Sequence, residues 1–167
     1  MIELKVAEIR VAGTETPPVV VLAEVDGLKR LLPIWMTHGG AAAILGATED
    51  PDDRRPSIHD LAGAIVAELG ESELVAVHII GCEDGQFFAE LVFTERRLPA
   101  RPSDAIALAL RVGCPIRCAP EVMEEYAVAA EAVAPAAGGQ TEEEVERFLE
   151  FLDKVTPEDF SGEDDKP

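Results

Sequence analysis

Residues 101–116, Arg-Pro-Ser-Asp-Ala-Ile-Ala-Leu-Ala-Leu-Arg-Val-Gly-Cys-Pro-Ile, constrain the fold more than any other stretch of the chain. They spell one helix together with its start and stop. Pro102 keeps the backbone extended just ahead of the helix, Ser103 is suited to cap it, and Asp104 places negative charge in the first turn, where the helix dipole favours it. Ala105 to Leu110 are all apolar and mostly good helix formers. A helix that is apolar nearly all round is a buried one. Gly113 supplies a left-handed stop, and Pro115 forbids continuation. The expectation is a short central helix, wrapped by the rest of the chain, that brings Arg101, Ser103 and Asp104 to one edge of the core.

The segments around it read as strands and short helices in turn. Ile2 to Val11 alternates as a strand, with a slip at Ala7-Glu8 that predicts a bulge. Val19 to Val25 is an apolar strand, Asp26-Gly27 is a hairpin signal, and Leu28 to Met36 is its partner, with Pro33 expected at an edge or irregularity. Thr37 to Gly40 reads as a loop before a short helix over Ala41 to Leu45. Ser57 with Asp60 three residues on fits a capping box. It opens a helix whose expected buried stripe is Leu61, Ile65 and Leu69, with Ala62 and Val66 beside them, and Gly70 ends it. Leu74 to Ile80 and Phe87 to Thr94 form a hairpin about Glu83-Asp84-Gly85. Pro115 to Cys118 is a short strand, and Pro120 opens a helix to about Ala132. The order implies an α+β fold with a mixed, mainly antiparallel sheet from hairpins packed against short helices, plus a C-terminal acidic helix. The expected division is a globular domain over 1–132, a linker over 133–140, an acidic amphipathic helix and docking turn over 141–160, and a disordered tail over 161–167.

Charge bounds the partners. The formal net charge is −19: −7 over residues 1–118 and −12 over residues 119–167. Nucleic acid is therefore a possible partner but one disfavoured by the overall field, because its binding usually draws on a basic surface. Aromatic residues are 5% of the chain, too few for an extended stacking platform for bases. No apolar run reaches membrane-spanning length, and Met1 to Lys5 reads as a strand and not as a signal peptide. The expectation is a cytoplasmic protein without a membrane partner. Cys82, Cys114 and Cys118 lack metal-finger spacing and read as buried thiols in a reducing compartment.

One internal echo bears on chemistry. Arg55-Pro56-Ser57 and Arg101-Pro102-Ser103 each precede a helix with an acid in its first turn. Free backbone N–H groups and the positive end of the dipole attract anions there, and arginine adds a bidentate phosphate partner. If the two helix starts converge, Arg55, Ser57, Arg101 and Ser103 form a local phosphate notch; otherwise they are ordinary helix starts. His59, beside Asp60, suits a general acid or base, or a metal ligand. Asp60, Asp104 and Glu90 are candidate ligands for a hard divalent cation such as Mg or Mn, although Asp60 and Asp104 also suit plain capping roles. His78, in an apolar strand, reads as a satisfied core histidine, and nothing links His38 in its loop to His59. The chain has no Gly-rich phosphate loop, HExxH, GxSxG or CxxC.

Leu32-Pro33-Ile34-Trp35, Arg55-Pro56 with His59-Asp60-Leu61, and above all Arg101 to Ile116 resemble the motifs of the bifunctional nuclease (BFN) domain family, formerly a domain of unknown function. The resemblance covers roughly Met1 to Ala132. It extends to Phe151 through Phe160, which are similar to the C-terminal segment of bacterial members. It implies an α+β fold, nuclease activity toward both DNA and RNA, and self-association as a dimer. By similarity the site is formed by Arg55, His59, Asp60, Arg101, Ser103 and Asp104. One departure stands out: Gly40 occupies a position where the family commonly has glutamate, which puts activity in question if that glutamate acts as ligand or base.

Two functions follow. The first is a hydrolase cleaving phosphodiesters of DNA and RNA, with His59, Asp60 and Asp104 as catalytic groups, Arg55, Ser57, Arg101 and Ser103 on the phosphate, and Asp60 with Asp104 on a divalent cation. The alternative is a non-catalytic dimeric regulatory or scaffold module that binds a protein partner or a small phosphorylated ligand.

Overall fold

The computed structural model describes residues 1–51, 54–69 and 72–129. The linker, acidic helix and tail expected beyond residue 132 lie outside those residues. The element order is β1 (Ile2–Arg10), β2 (Val19–Glu24), β3 (Arg30–Trp35), α1 (His38–Ala47), α2 (Ile58–Leu69), β4 (Leu74–Glu83), β5 (Gln86–Phe93), β6 (Arg97–Ala100), α3 (Pro102–Val112), β7 (Ile116–Cys118), α4 (Pro120–Tyr126) and β8 (Val128–Ala129). The strands form one sheet in the order β6-β5-β4-β7-β1-β2-β3-β8. Every pairing is antiparallel except β4 with β7. The fold is α+β, as the alternation of hairpins and short helices implied.

Local sequence accounts for most of the ladder. In β1, Val6 faces Leu22 and Glu8 faces Val21, so Ala7 is the extra residue of a bulge at the expected slip. Asp84 and Gly85 both have positive φ, at 50° and 74°, and join β4 to β5 through a two-residue turn of the type that suits the strand twist. The β2–β3 loop is longer than Asp26-Gly27 suggested, with Gly27 at φ 99° and Lys29 at φ 52°. It is closed by a bidentate ion pair between Arg30 and the buried Glu24. Pro33 pairs with Val21 on one side, while β8 covers only Arg30 and Leu31 on the other. The proline therefore faces the open part of the edge, where no donor is needed.

Helix α3 is the centre. Ala105, Ile106, Ala107 and Ala109 are at most 1% exposed, and α1, α2, β4 and β5 all pack on the helix. Gly113, at φ 75°, ends it with its N–H on Ala109 O. The start differs from expectation. Arg101 is the N-cap residue, with no side-chain cap bond, and Pro102 is the first helical residue. Ser103 therefore lies inside the helix, buried, and does not cap it.

Three other elements depart from the reading of the sequence. Helix α1 begins at His38, capped by the Thr37 hydroxyl accepting from Gly40 N–H at 3.2 Å, where Gly-Gly suggested a loop. Packing on α3 overrides the poor helix propensity of glycine, and a Cβ on Gly40 would lie 2.8 Å from both Cβ and Oγ of Ser103. Helix α4 stops at Tyr126 so that Val128–Ala129 can add β8 to the sheet. The buried stripe assigned to α2 holds only in part: Ala62 and Val66 are partly buried, but Leu61 and Ile65 are half-exposed and Ile58 is 72% exposed. The helix instead turns Ala62, Gly63 and Val66 inward, with Gly63 against Leu108, Arg111 and Val112. Small side chains let α2 approach α3 closely, and the larger apolar residues remain outside.

Candidate functional site

The first turns of α2 and α3 adjoin. Ser57 and Asp60 form the capping box that starts α2: Ser57 N–H donates to Asp60 Oδ2 at 2.7 Å, and Asp60 N–H donates to Ser57 Oγ at 3.2 Å. This orients the turn so that His59 projects toward α3, where its Nε2 lies 3.3 Å from Asp104 Oδ1. Arg101, at the cap of α3, closes on the same carboxylate, with Nε donating to Oδ2 at 2.6 Å and Nη2 to Oδ1 at 3.1 Å. Burial alone would raise the Asp104 pKa, but hydrogen bonds from Arg101 and His59 outweigh it and hold the carboxyl below the ordinary aspartate value. The Arg101 pKa is raised by the same pair. The cluster is half-open: the side chains of His59, Asp104 and Arg101 are 17%, 32% and 71% exposed.

His59, Asp104 and Arg101 line a cleft of about 530 Å³ whose remaining wall is largely apolar, including Ile58, Leu91 and Leu108. Arg101 also lines a second cleft of about 320 Å³, between the end of β3 and the β4–β5 turn. A carboxylate facing Nε2 selects the imidazole tautomer that carries its proton there, which leaves Nδ1 as a proton acceptor. The cluster thus combines an imidazole facing a carboxylate with an exposed guanidinium, a group whose geometry suits carboxylate and phosphate alike.

The other candidates are placed differently. Asp60 is held by Ser57 and by Arg111, whose Nε is 2.5 Å from Asp60 Oδ1. Hydrogen bonds from Ser57, helped by the Arg111 charge, lower the Asp60 pKa. Arg111 also donates to the carbonyls of Gly46 and Glu49, tying α3 to α2 and to the end of α1. Asp60 therefore faces Arg111, and Asp104 faces Arg101 and His59. Ser57 is occupied as a cap, Ser103 packs on Gly40, and Arg55 is exposed and lines neither cleft. The two Arg-Pro-Ser triplets are thus not equivalent: one serine caps its helix and the other is buried within it.

Glu90 binds Arg97 at 2.7 Å and faces His78 Nδ1 at 3.4 Å across the β4–β5 pair. His78 is buried, its pKa is pushed down by desolvation, and its Nε2 has no hydrogen-bond partner among the described residues. It is a core histidine, though only half satisfied. His38 Nε2 is bonded to Gly13 O at 2.9 Å.

A hard divalent cation wants several oxygen ligands at one point. Asp60 and Asp104 meet that need poorly, because a cation on both would have to displace two arginines. Among the described residues no three His, Cys, Asp or Glu side chains come together in a way that could hold a metal.

Two features here had weak or no sequence signals. Arg111 had the signal of a basic residue in a last helical turn, but its partners lie 51 to 65 positions away. The second cleft is made by a strand end and a turn far apart in sequence, and no local pattern marks it. Among the described residues, no helix is long and apolar enough to cross a membrane.

Comparison with known proteins identifies the family. The bifunctional nuclease domain model matches residues 20–131. Two proteins of Mycobacterium tuberculosis strains, the uncharacterized proteins MT1877 and Rv1829, are each 40% identical over 163 residues, covering 96% of this chain and 98% of theirs. The match spans α3 with Arg101 and Asp104, α2 with His59, and the sheet that carries them, so the chain belongs to the bifunctional nuclease domain family.

Proposed function

We propose that this protein is a nuclease that hydrolyses phosphodiester bonds of DNA and RNA, with His59 as general base, Asp104 as its orienting carboxylate and Arg101 as the phosphate ligand. The observation that carries this reading is the His59–Asp104–Arg101 cluster in the wall of an open cleft. In the reaction, His59 Nδ1 takes a proton from the attacking water as its oxygen bonds to phosphorus. Asp104 stabilises the imidazolium that results. Arg101 leaves one arm of its carboxylate pair for the equatorial phosphate oxygens, where charge develops. The P–O bond to the leaving sugar breaks, and that oxygen takes a proton from solvent. Asp60, Ser57 and Ser103 act through position alone: the first two set the angle of α2, and Ser103 sets the approach of α1 to α3. No step is routed through a cation, because the two carboxylates are already held by arginines.

The test is cleavage of labelled single- and double-stranded DNA and RNA by the purified chain, with Mg or Mn and again in chelator. Cleavage that persists in chelator supports the mechanism as written. Strict dependence on the cation moves the chemistry to a metal site with other ligands.

A second reading, a non-catalytic dimeric regulatory or scaffold module that binds a protein partner or a small phosphorylated ligand, draws on one observation. The Arg101 guanidinium is already matched by Asp104 on two atoms, in a chain of net charge −19. It predicts phosphate binding without turnover in the same assay. Both readings include a homodimer. Ile58, Leu61 and Ile65 recur at one helical face of α2 and are 72%, 46% and 48% exposed, a stripe that a second copy would cover.

A further inference from the structure

The cleft between β3 and the β4–β5 turn is not used by the chemistry above, yet it shares Arg101 with the His59 cleft. We propose that it is a nucleobase subsite, holding one unpaired base of the strand whose phosphate Arg101 engages; this rests on the phosphodiester reading. Its lining has the chemistry a base requires. Trp35, the last residue of β3, offers an aromatic surface, and every base has a face that stacks on one. Gln86 offers an amide that can both donate and accept along a base edge, and among the described residues no side chain partners it. Thr37 stands at the same cleft with its hydroxyl already accepting from Gly40, so it shapes the wall more than it reads the edge.

Both walls are set in the sheet. Trp35 is paired across to Val19, and the next residue, Met36, donates its N–H to Pro18 O at 2.9 Å. Gln86 follows directly on the two-residue turn and pairs with Glu83. A cleft of about 320 Å³ fits one heterocycle, not a stacked run. It also resolves a charge problem. A chain at −19 gains little from the phosphate backbone, so uncharged contacts to an exposed base would have to carry more of the affinity than is usual. Such a base must be out of its duplex, which makes single strands the substrate class.

Trp35 is the only tryptophan, so its fluorescence reports this cleft directly in the full chain. The experiment titrates the protein with a short single-stranded oligonucleotide and with an abasic strand of the same length, and follows cleavage in the same mixtures. Expected are saturable quenching by the base-bearing strand, little by the abasic one, and about tenfold weaker binding in Gln86→Ala with unchanged thermal melting. Equal quenching by both strands, or an unchanged midpoint in Gln86→Ala, overturns the subsite. Cleavage without quenching removes the subsite and leaves the nuclease reading standing. Quenching without cleavage keeps the subsite and removes the nuclease reading.

Discussion

Gly40 and Ser103 leave no room for a side chain between α1 and α3. A Cβ at residue 40 would sit 2.8 Å from both Cβ and Oγ of Ser103, closer than carbon atoms normally approach. A glutamate at this position could not be seated here without moving a helix of the core. Gly40→Ala therefore sets two effects against each other. Better helix propensity favours it by about 1 kcal/mol, while forcing a methyl group into a filled contact costs about 1–3 kcal/mol. The expected net result is destabilisation in chemical denaturation. In a Ser103→Gly background the obstructing Cβ is gone, and the same Gly40→Ala change is expected to stabilise. A loss of the same size in both backgrounds would show that the contact is not the cause.

Asp60 joins a capping box to an ion pair with Arg111. Asp60→Ala is expected to lower the melting temperature by several degrees, through the lost cap and the unpaired arginine. The sign with pH follows from the lowered pKa of Asp60. Its contribution to stability is fully present above the unfolded carboxylate value of about 3.9 and is lost as pH falls through the lower folded value. Asp104 acts in the same direction. Melting curves of Asp60→Ala and the parent chain should thus differ at neutral pH and converge in acid. A constant gap down to the acid limit would contradict the assignment.

How much of this was legible in the sequence depends on the range of the interaction. The stop of α3 at Gly113, the bulge at Ala7, the Asp84-Gly85 turn and the Ser57–Asp60 box are each set by neighbours in sequence, and each was readable. The start of α1 was not, because it depends on Gly40 meeting Ser103, sixty-three positions later. The inward face of α2 was misjudged for the same reason. Hydrophobicity named Leu61 and Ile65, but close helix packing selected Gly63. At the site, the residue types His59, Asp104 and Arg101 could be nominated from their places at two helix starts. That Asp104 would gather both partners, while Asp60 turned to Arg111 and Arg55 stayed apart, required the three-dimensional crossing of α2 and α3.

The three thiols differ in reactivity for a stated reason. Burial raises the pKa of Cys82 and Cys114, and pushes that of the fully buried Cys118 up to about 12. At pH 8 all three are protonated, and Cys118 is also out of reach. Iodoacetamide with peptide mass mapping should modify Cys118 only at the rate of unfolding, and should modify the part-exposed Cys82 and Cys114 slowly. Rapid modification of Cys118 in the native protein would mean that β7 is not buried as described.

The exposed stripe of α2 sets the oligomer prediction. Sedimentation equilibrium of the parent chain is expected to give a dimer, and Leu61→Glu combined with Ile65→Glu a folded monomer with unchanged far-ultraviolet circular dichroism. A parent chain that sediments as a monomer at tens of micromolar would remove the dimer proposed on α2.

The most direct measurement is the rate of strand cleavage by Asp104→Asn beside His59→Ala and the parent chain. Asparagine keeps the size of residue 104 but removes the charge that orients His59 and steadies its protonated form. If the pair performs the proton transfer, each single change should lower kcat by about 10²–10⁴. The double variant should then be no worse than the poorer single one, because the two residues act as a unit. Parent-like cleavage by the double variant would contradict the assignment of catalysis to His59 and Asp104.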